Sequence, residues 1–382
     1  MIRKIRIGEL GVIITGNTPP RKKPEYYGTS IPFIKATDID EASKYTHTPE
    51  EFYSEIGYQK YRKSLIPKGS TCVVTIGSVG KKMTMACREC FINQAMNAIV
   101  PSESYDPEYV YYVVKYNLHK LKSLDSGTAS GRENISKSAF SNLEIDVIDN
   151  LETQRKIGLA LSAYDLLIEN NQKQIKLLEE AAQRLYKEWF VDLRFPGYED
   201  TPIVDGVPEG WERLPVGELI EKIPRTTQIM ASEYGKEGPI PIIDQSREFI
   251  AGYTDNHASL VNVGKPVIVF GDHTRILKYI QFPFAKGADG TQLIVSNTDR
   301  MPQSLFYCSL VGVDLSNYHY ARHFKYLKAE ELLVPTQVIA EAFDHFVSPM
   351  FSKIQRLRDI NKAATNARDR LLPKLISGEI EV

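Results

Sequence analysis

The chain has 382 residues, enough for two or three domains with cores of their own, and its 42% hydrophobic and 25% charged residues are ordinary for a globular protein. No apolar run reaches the length of a membrane span, the start "MIRKIRIGEL" lacks the apolar core of a signal peptide, and four cysteines (Cys72, Cys87, Cys90, Cys308) are too few for a disulfide framework, so a cytoplasmic protein is expected. Net charge is −1, with +3 over residues 1–150 and −5 over residues 196–335; a nucleic acid would have to be held by local basic loops or shared with partner subunits.

In chain order, "IGELGVIITG" from Ile7 leads to "NTPP" at Asn17–Pro20. That tetrapeptide resembles the Asn/Asp-Pro-Pro-aromatic turn of amino-methyltransferases. Thr18 intrudes, however, and Arg21 stands where the aromatic belongs, so a plain turn is expected. "IPFI" at Ile31–Ile34 and "TCVVTI" from Thr71 read as short strands. "TIGSVGKK" from Thr75 fails as a phosphate-binding loop, which needs Gly at 75 and Ser or Thr at 82; Thr75 and Lys82 leave a glycine turn with two lysines. Cys87 and Cys90 have metal-ligand spacing but no second pair to complete a site, and residues 106–124 read as a helix.

Next comes a sustained heptad. Ile157, Leu161, Tyr164, Ile168, Asn171, Ile175, Leu178, Ala182, Leu185 and Trp189 alternate spacings of four and three. Asp149 and Glu152 can form a capping box, and Pro196-Gly197 should stop the helix after the aromatics Trp189, Phe190 and Phe195. About 40 residues at roughly 1.5 Å each make a rod of about 60 Å, which needs a partner helix to bury its stripe. The partner lies in the same chain. Phe343, Val347, Met350, Ile354, Leu357, Asn361, Ala364, Arg368 and Leu371 repeat the pattern, and adding 186 to Ile157, Leu161, Tyr164, Ile168 and Leu185 lands on five of them. Thr336 can cap this helix, Pro349 should kink or split it, and Pro373 and Gly378 should end it.

The segments between the helices echo each other too. "IGELGVIITG" pairs with "VGELIEKIPR" from Val216, "IPFI" with "IPII" at Ile240–Ile243, and "IPKGSTCVVTIG" from Ile66 with "VNVGKPVIVFG" from Val261. The expected fold is therefore α+β: a mixed domain over 1–149, a long helix over 150–195, a second mixed domain over 196–335, and a second helix with tail over 336–382. Antiparallel pairing of the helices would put the domains at opposite ends of a rod, related by an approximate two-fold axis. That is the geometry of a reader of two DNA half-sites.

Catalytic patterns are absent: no Gly-x-Gly-x-x-Gly, no clear nuclease pattern, and no acidic helper between His319 and His323 for a metal. The chain reads as a non-enzyme without a metal or cofactor of its own. Double-stranded DNA would be met by loops that mix cations with hydroxyls and amides. In the first domain these are Arg21, Lys22 and Lys23; Lys81 and Lys82; and Thr128, Ser130, Arg132, Asn134 and Lys137. In the second they are His273, Thr274, Arg275 and Lys278; Lys286 and Gln292; and Arg322, His323 and Lys325. Two rivals stand beside this reading: a coiled-coil scaffold with two protein-binding domains and no DNA role, and a lone DNA-binding regulator.

The segments "RLYKEWFVDLRFPG", "RLLPKLISGEIEV", "ITGNTPP", "SGTASGRENISKSAFSNLEI" and "LETQRKI" together resemble the specificity subunit of type I restriction–modification systems, over essentially the whole chain. The resemblance implies two target recognition domains, each for one part of a bipartite sequence, on an antiparallel coiled coil that sets the spacer. It also implies two modification (methyltransferase) subunits bringing S-adenosylmethionine, restriction subunits joining them, and ATP and Mg on those partners. Trp189, Phe190 and Phe195, with Leu375 and Ile376, would then pack the helix ends onto the opposite recognition domain or onto a methyltransferase subunit.

Overall fold

The structure is a computed structural model that describes residues 2–125, 133–317 and 322–382. The chain divides into two compact units, Met1–Asn171 with Asp359–Val382, and Gln172–Arg358. Each takes part of both long helices.

In the first unit, β1 (Ile2–Arg6) pairs antiparallel with β10 (Glu144–Ile148), the strand that leads into the first long helix. Between them run β2 (Gly11–Thr15), β3 (Tyr27–Gly28), β4 (Ile31–Ile34), β5 (Glu51–Tyr53), β6 (Thr71–Val74), β7 (Met83–Met85), β8 (Phe91–Ile92) and β9 (Met96–Pro101). They form two four-stranded sheets, β2-β9-β6-β7 and β3-β5-β4-β8, and the second contains a parallel pair, β4 with β8. Three short helices, α1 (Glu55–Tyr61), α2 (Pro107–Asn117) and α3 (Lys137–Asn142), complete the domain. Asp106 caps α2 by accepting from the Tyr109 amide.

The first long helix, α4, covers Leu151–Tyr186 and continues as a π-helical turn over Lys187–Val191. Its cap is Asn150, whose side-chain oxygen accepts from the Thr153 amide at 2.8 Å. Asp149 is not the cap: its carboxylate is drawn 2.6 Å from Arg3 on β1. Gly158 in α4 lets the start of α2 approach closely, since a Cβ there would stand 2.7 Å from Glu108 and 2.8 Å from Asp106.

The second unit repeats the plan. A small hairpin, β11 (Ile203–Val204) with β12 (Val207–Pro208), precedes β13 (Glu212–Pro215). There follow β14 (Ile240–Ile243), β15 (Gly252–Thr254), β16 (Leu260–Val261), β17 (Val267–Gly271), β18 (Leu277–Ile280), β19 (Phe284–Lys286) and β20 (Thr291–Ile294). Helices α5 (Gln303–Val311) and α6 (Phe324–Leu327) lead to β21 (Glu331–Val334), which pairs with β13 as β10 pairs with β1. The sheet β15-β14-β19-β16 again contains one parallel pair, β14 with β19, and β18-β17-β20 matches β7-β6-β9. The place of β2 is taken by a single bridge, Ile220 with Ser296. The internal repeat is thus one of strand connectivity, not only of words in the sequence.

The second long helix, α7, is unbroken from Gln337 to Ile376. Pro349 neither kinks nor splits it, and Pro373 does not end it. Pro349 lies on the exposed side, while Phe343, Val347, Phe351 and Ile354 are buried on the other, so packing outweighs the one lost backbone donor. Likewise α4 stops before Pro196, at Leu193 in the left-handed conformation (φ 55°).

Within each unit the helices pair antiparallel. In the first, Asp165 meets Arg368 and Asn171 meets Asn361; in the second, Glu179 meets Arg358 and Trp189 meets Phe343. Of the first seam, Ile157, Leu161, Ile168, Asn171, Ala182 and Trp189 are buried, and Tyr164, Ile175, Leu178 and Leu185 are half-buried. Of the second, Phe343, Val347, Ile354, Leu357, Ala364 and Arg368 are buried; Met350, Asn361 and Leu371 are half-buried, with Phe351 and Leu372 deeper than their neighbours.

The aromatic cluster closing α4 belongs to the second domain's core. Trp189, Phe190 and Phe195 gather with Trp211 and Phe343, the Phe195 and Trp211 rings lying 4.7 Å apart. Correspondingly, Leu372, Leu375 and Ile376 of α7 join the first domain's core beside Ile5, Ile145 and Ile148. Each long helix therefore leaves one domain and finishes in the core of the other.

Candidate nucleic-acid interface

In each domain the same three connections are tied together by backbone hydrogen bonds. In the first these are the β6–β7 turn, the β8–β9 loop and the segment before α3. Thr75 and Ile76 both donate to Ala95, Gly77 donates to Glu133, and Ile135 donates back to Thr75, all at 2.8–3.1 Å. Gly77 and Gly80 hold positive φ (94° and 70°), which explains the glycines of "TIGSVGKK" as turn formers. The Glu133 carboxylate adds a bond from the Val79 amide at 3.0 Å.

The second domain has the counterpart. Asp272 in the β17–β18 turn donates to Gly290 of the β19–β20 loop, and its own carbonyl accepts from the His323 amide. Gln245, just past β14, joins the group: its amide donates to Asp289, its side-chain oxygen accepts from His273, and its carbonyl accepts from Thr274. Gln245 escaped the sequence reading. The only signal is the polar run "DQSRE" directly after the "IPII" strand.

The proposed contact residues fall unevenly on these surfaces. Lys22, Lys23, Lys81 and Lys137 are exposed, Lys82 is half-buried, and Asn134 sits beside Ile76 with its backbone held by Asp125. Thr128, Ser130 and Arg132 lie outside the described residues, as does His319. Arg21 is exposed yet internally engaged: its guanidinium forms a two-pronged pair with Glu51 at 2.7 and 2.9 Å. Lys35 joins the same cluster, 2.6 Å from Glu50 and 3.0 Å from Glu51. The Arg21 fork, with help from Lys35, holds the Glu51 carboxyl at about 2.

In the second domain His273, Thr274, Arg275, Arg322 and Lys325 are exposed, and Lys286 and Gln292 are half-buried. Arg275 holds a left-handed backbone (φ 60°) and donates to the Leu315 carbonyl at 3.0 Å. Two residues must be corrected. Lys278 is buried, donating to the Glu248 carbonyl with Asp244 3.8 Å away; burial lowers its pKa, and it cannot reach a duplex. His323 is also buried, its Nδ1 held 2.8 Å from the Asp272 carbonyl, so it anchors the loop rather than reads a base.

Cys90 lies buried beside Cys72 in a small apolar cluster, and among the described residues no three His, Cys, Asp or Glu side chains group as a metal site. Nor, among those residues, is any helix long and apolar enough to cross a membrane.

Two domains of one topology and different loops, each with its share of the two long helices, define a duplicated α+β chain. Comparison with known proteins shows what it resembles. Residues 2–180 match the family model described as the type I restriction modification DNA specificity domain. The MjaIX specificity subunit of Methanocaldococcus jannaschii is 25% identical over 99% of this chain and 93% of its own length. The HindI specificity subunit of Haemophilus influenzae is 35% identical over 36% of this chain and 30% of its own. The S subunit structure from M. genitalium superposes with a TM-score of 0.65 at 16% identity, covering 98% of this chain and 96% of that one, which supports the fold. Over residues 2–180 the chain is similar to the type I restriction modification DNA specificity domain, and over nearly its whole length to a type I specificity subunit.

Proposed function

We propose that each domain reads one half of a bipartite, asymmetric DNA target through its tied loop cluster, and that the paired helices set the number of base pairs between the halves. The observation that carries this is the repeat itself: the same three connections converge in both domains, with different side chains on them. One scaffold presenting two loop sets suits two different half-sites better than one symmetric site.

The helices also offer docking surface for two modification subunits, with restriction subunits joining that core in the cytoplasm. S-adenosylmethionine, ATP and Mg would be held on those partners. A net charge of −1 fits such sharing, because phosphates not met by this chain can be met by the methyltransferase.

The test is a footprint on the target found by methylome sequencing of cells carrying the system. The isolated chain should protect it weakly and the complex with the modification subunit strongly, at both halves. A complex that assembles but protects no sequence would favour the scaffold alternative.

A further inference from the structure

The first unit buries a charged group in its helix pair. The Asp165 carboxylate of α4 accepts from the Arg368 guanidinium of α7 on one oxygen and from the Tyr112 hydroxyl of α2 on the other, and all three side chains are buried. Arg368 also donates to Asp369 at 2.8 Å. One contact thus joins both long helices to the body of the first domain. The second unit fills the equivalent place without charge. Adding 186 carries Asp165 to Phe351, and subtracting it carries Arg368 to Ala182. Aligning α2 with α5 from the residues that precede them, Asp106 and Pro302, carries Tyr112 to Cys308. A neighbouring contact supports the alignment. Ser304 of α5 donates to Asp344 of α7 at 2.5 Å, and the counterparts, Glu108 and Gly158, also lie against each other. Ala182, Cys308 and Phe351 are buried in one apolar cluster, the Phe351 ring 4.6 Å from that of Tyr279.

The same junction is therefore built once from apolar side chains and once around a carboxylate. Stability does not explain the charged version, because desolvating a buried ion pair costs about as much as the attraction gains, and apolar replacements of similar volume are often neutral. What it supplies is direction. Apolar surfaces can shift against each other and stay in contact, whereas Tyr112 or Arg368 displaced from Asp165 leaves a buried charge unmet. Resting on the DNA reading above, we propose that Tyr112, Asp165 and Arg368 are positioning residues: they seat the first domain at one place on its helix pair, so that its half-site is read at one distance from the other half. None of the three needs to touch a base or a phosphate.

The experiment sequences the methylome of cells carrying the full complex and records the melting temperature of the isolated chain. Y112F/D165L/R368L removes the polar groups together, so that no partner is stranded, and should melt within a few degrees of wild type. Both half-site sequences should stay the same. Discrimination against gaps one base pair longer or shorter should fall by about tenfold, the size of one lost buried hydrogen bond to a charged group. Y112F removes one hydroxyl and leaves the ion pair; it should show a smaller fall, and it decides the matter if the triple variant does not fold. F140L, a core change away from the triad, should lower the melting temperature without admitting new gaps. An unchanged gap in Y112F and in a folded triple variant, while wild type methylates its bipartite target, overturns the positioning role and leaves the DNA reading intact. New gaps in F140L as well would trace them to a loosened core and also overturn it. A wild-type complex that methylates no bipartite target would remove both.

Discussion

The side-chain amide of Asn171 donates to the side-chain carbonyl of Asn361 at 2.8 Å, polar on polar in a largely apolar helix seam. The two asparagines are not equivalent in the repeat: adding 186 carries Asn171 to Leu357 and Asn361 back to Ile175. Only antiparallel pairing brings them together. N361L should strand the buried Asn171 amide and cost about 1–3 kcal/mol. The double variant N171L/N361L should recover most of that loss but relax the register that the pair specifies. Urea denaturation of the two single variants and the double would measure the coupling, and simple additivity would show that the two amides do not interact.

A pH dependence follows from Glu51. Its carboxyl titrates at about 2, against 4.5 for the ordinary group, because Arg21 and Lys35 favour the charged form. A depressed folded pKa means stability that is complete above pH 4.5 and is lost as pH falls through about 2. Wild type should therefore exceed E51Q in urea midpoint near neutrality, with the gap closing as the solution is acidified. Arg21 and Glu50 are exposed while Glu51 and Lys35 are half-buried, so the gap should be modest and shrink in high salt. A gap that widened on acidification would contradict the pairing.

Much of this architecture can be read from residue spacing. The heptads gave both long helices because Ile, Leu and Phe recur every three or four positions whether or not the partner is known, and "IPFI" with "IPII" gave the repeat because both strands occupy buried parallel pairs. Pro349 misled because an isolated-helix rule ignores the packing of Val347 and Phe351 on the opposite side. The loops were harder. Arg21 finds Glu51 thirty residues away and His323 finds Asp272 fifty-one away, so a cation that looks free in the sequence is committed in the fold. Gln245 went unnoticed for the converse reason: a lone glutamine in a polar run has no local signature, and its value comes from the loops of His273 and Asp289 that it ties together.

The spacer prediction has a definite size. One heptad lengthens a helix by about 10 Å, at roughly 1.5 Å per residue, which spans about three base pairs at 3.4 Å each. Because Glu179 faces Arg358 at 2.9 Å in an antiparallel pair, matched heptads inserted after Leu178 and after Arg358 preserve the seam on both sides. Methylome sequencing should then find both half-sites unchanged and the gap between them longer by about three base pairs. Changed half-site bases with an unchanged gap would reject the helices as the ruler.

The outer face of α4 bears on how partners dock. Leu159 is 68% exposed and Leu166, one heptad on, 54%, with Ala163 and Leu167 exposed beside them. These residues form an apolar stripe parallel to the buried seam on the first unit's part of the helix, and an uncovered stripe of this kind is a surface for another helix. If the modification subunit covers it, L159E/L166E should abolish co-purification of the two proteins while leaving the melting temperature of the isolated chain within a few degrees of wild type. The same variant should lose the footprint that depends on the partner. Retained co-purification would place the docking surface elsewhere on the chain, and a collapsed melting temperature would mean that the stripe already supports the fold, in which case L159S/L166S, without added charge, separates the two effects.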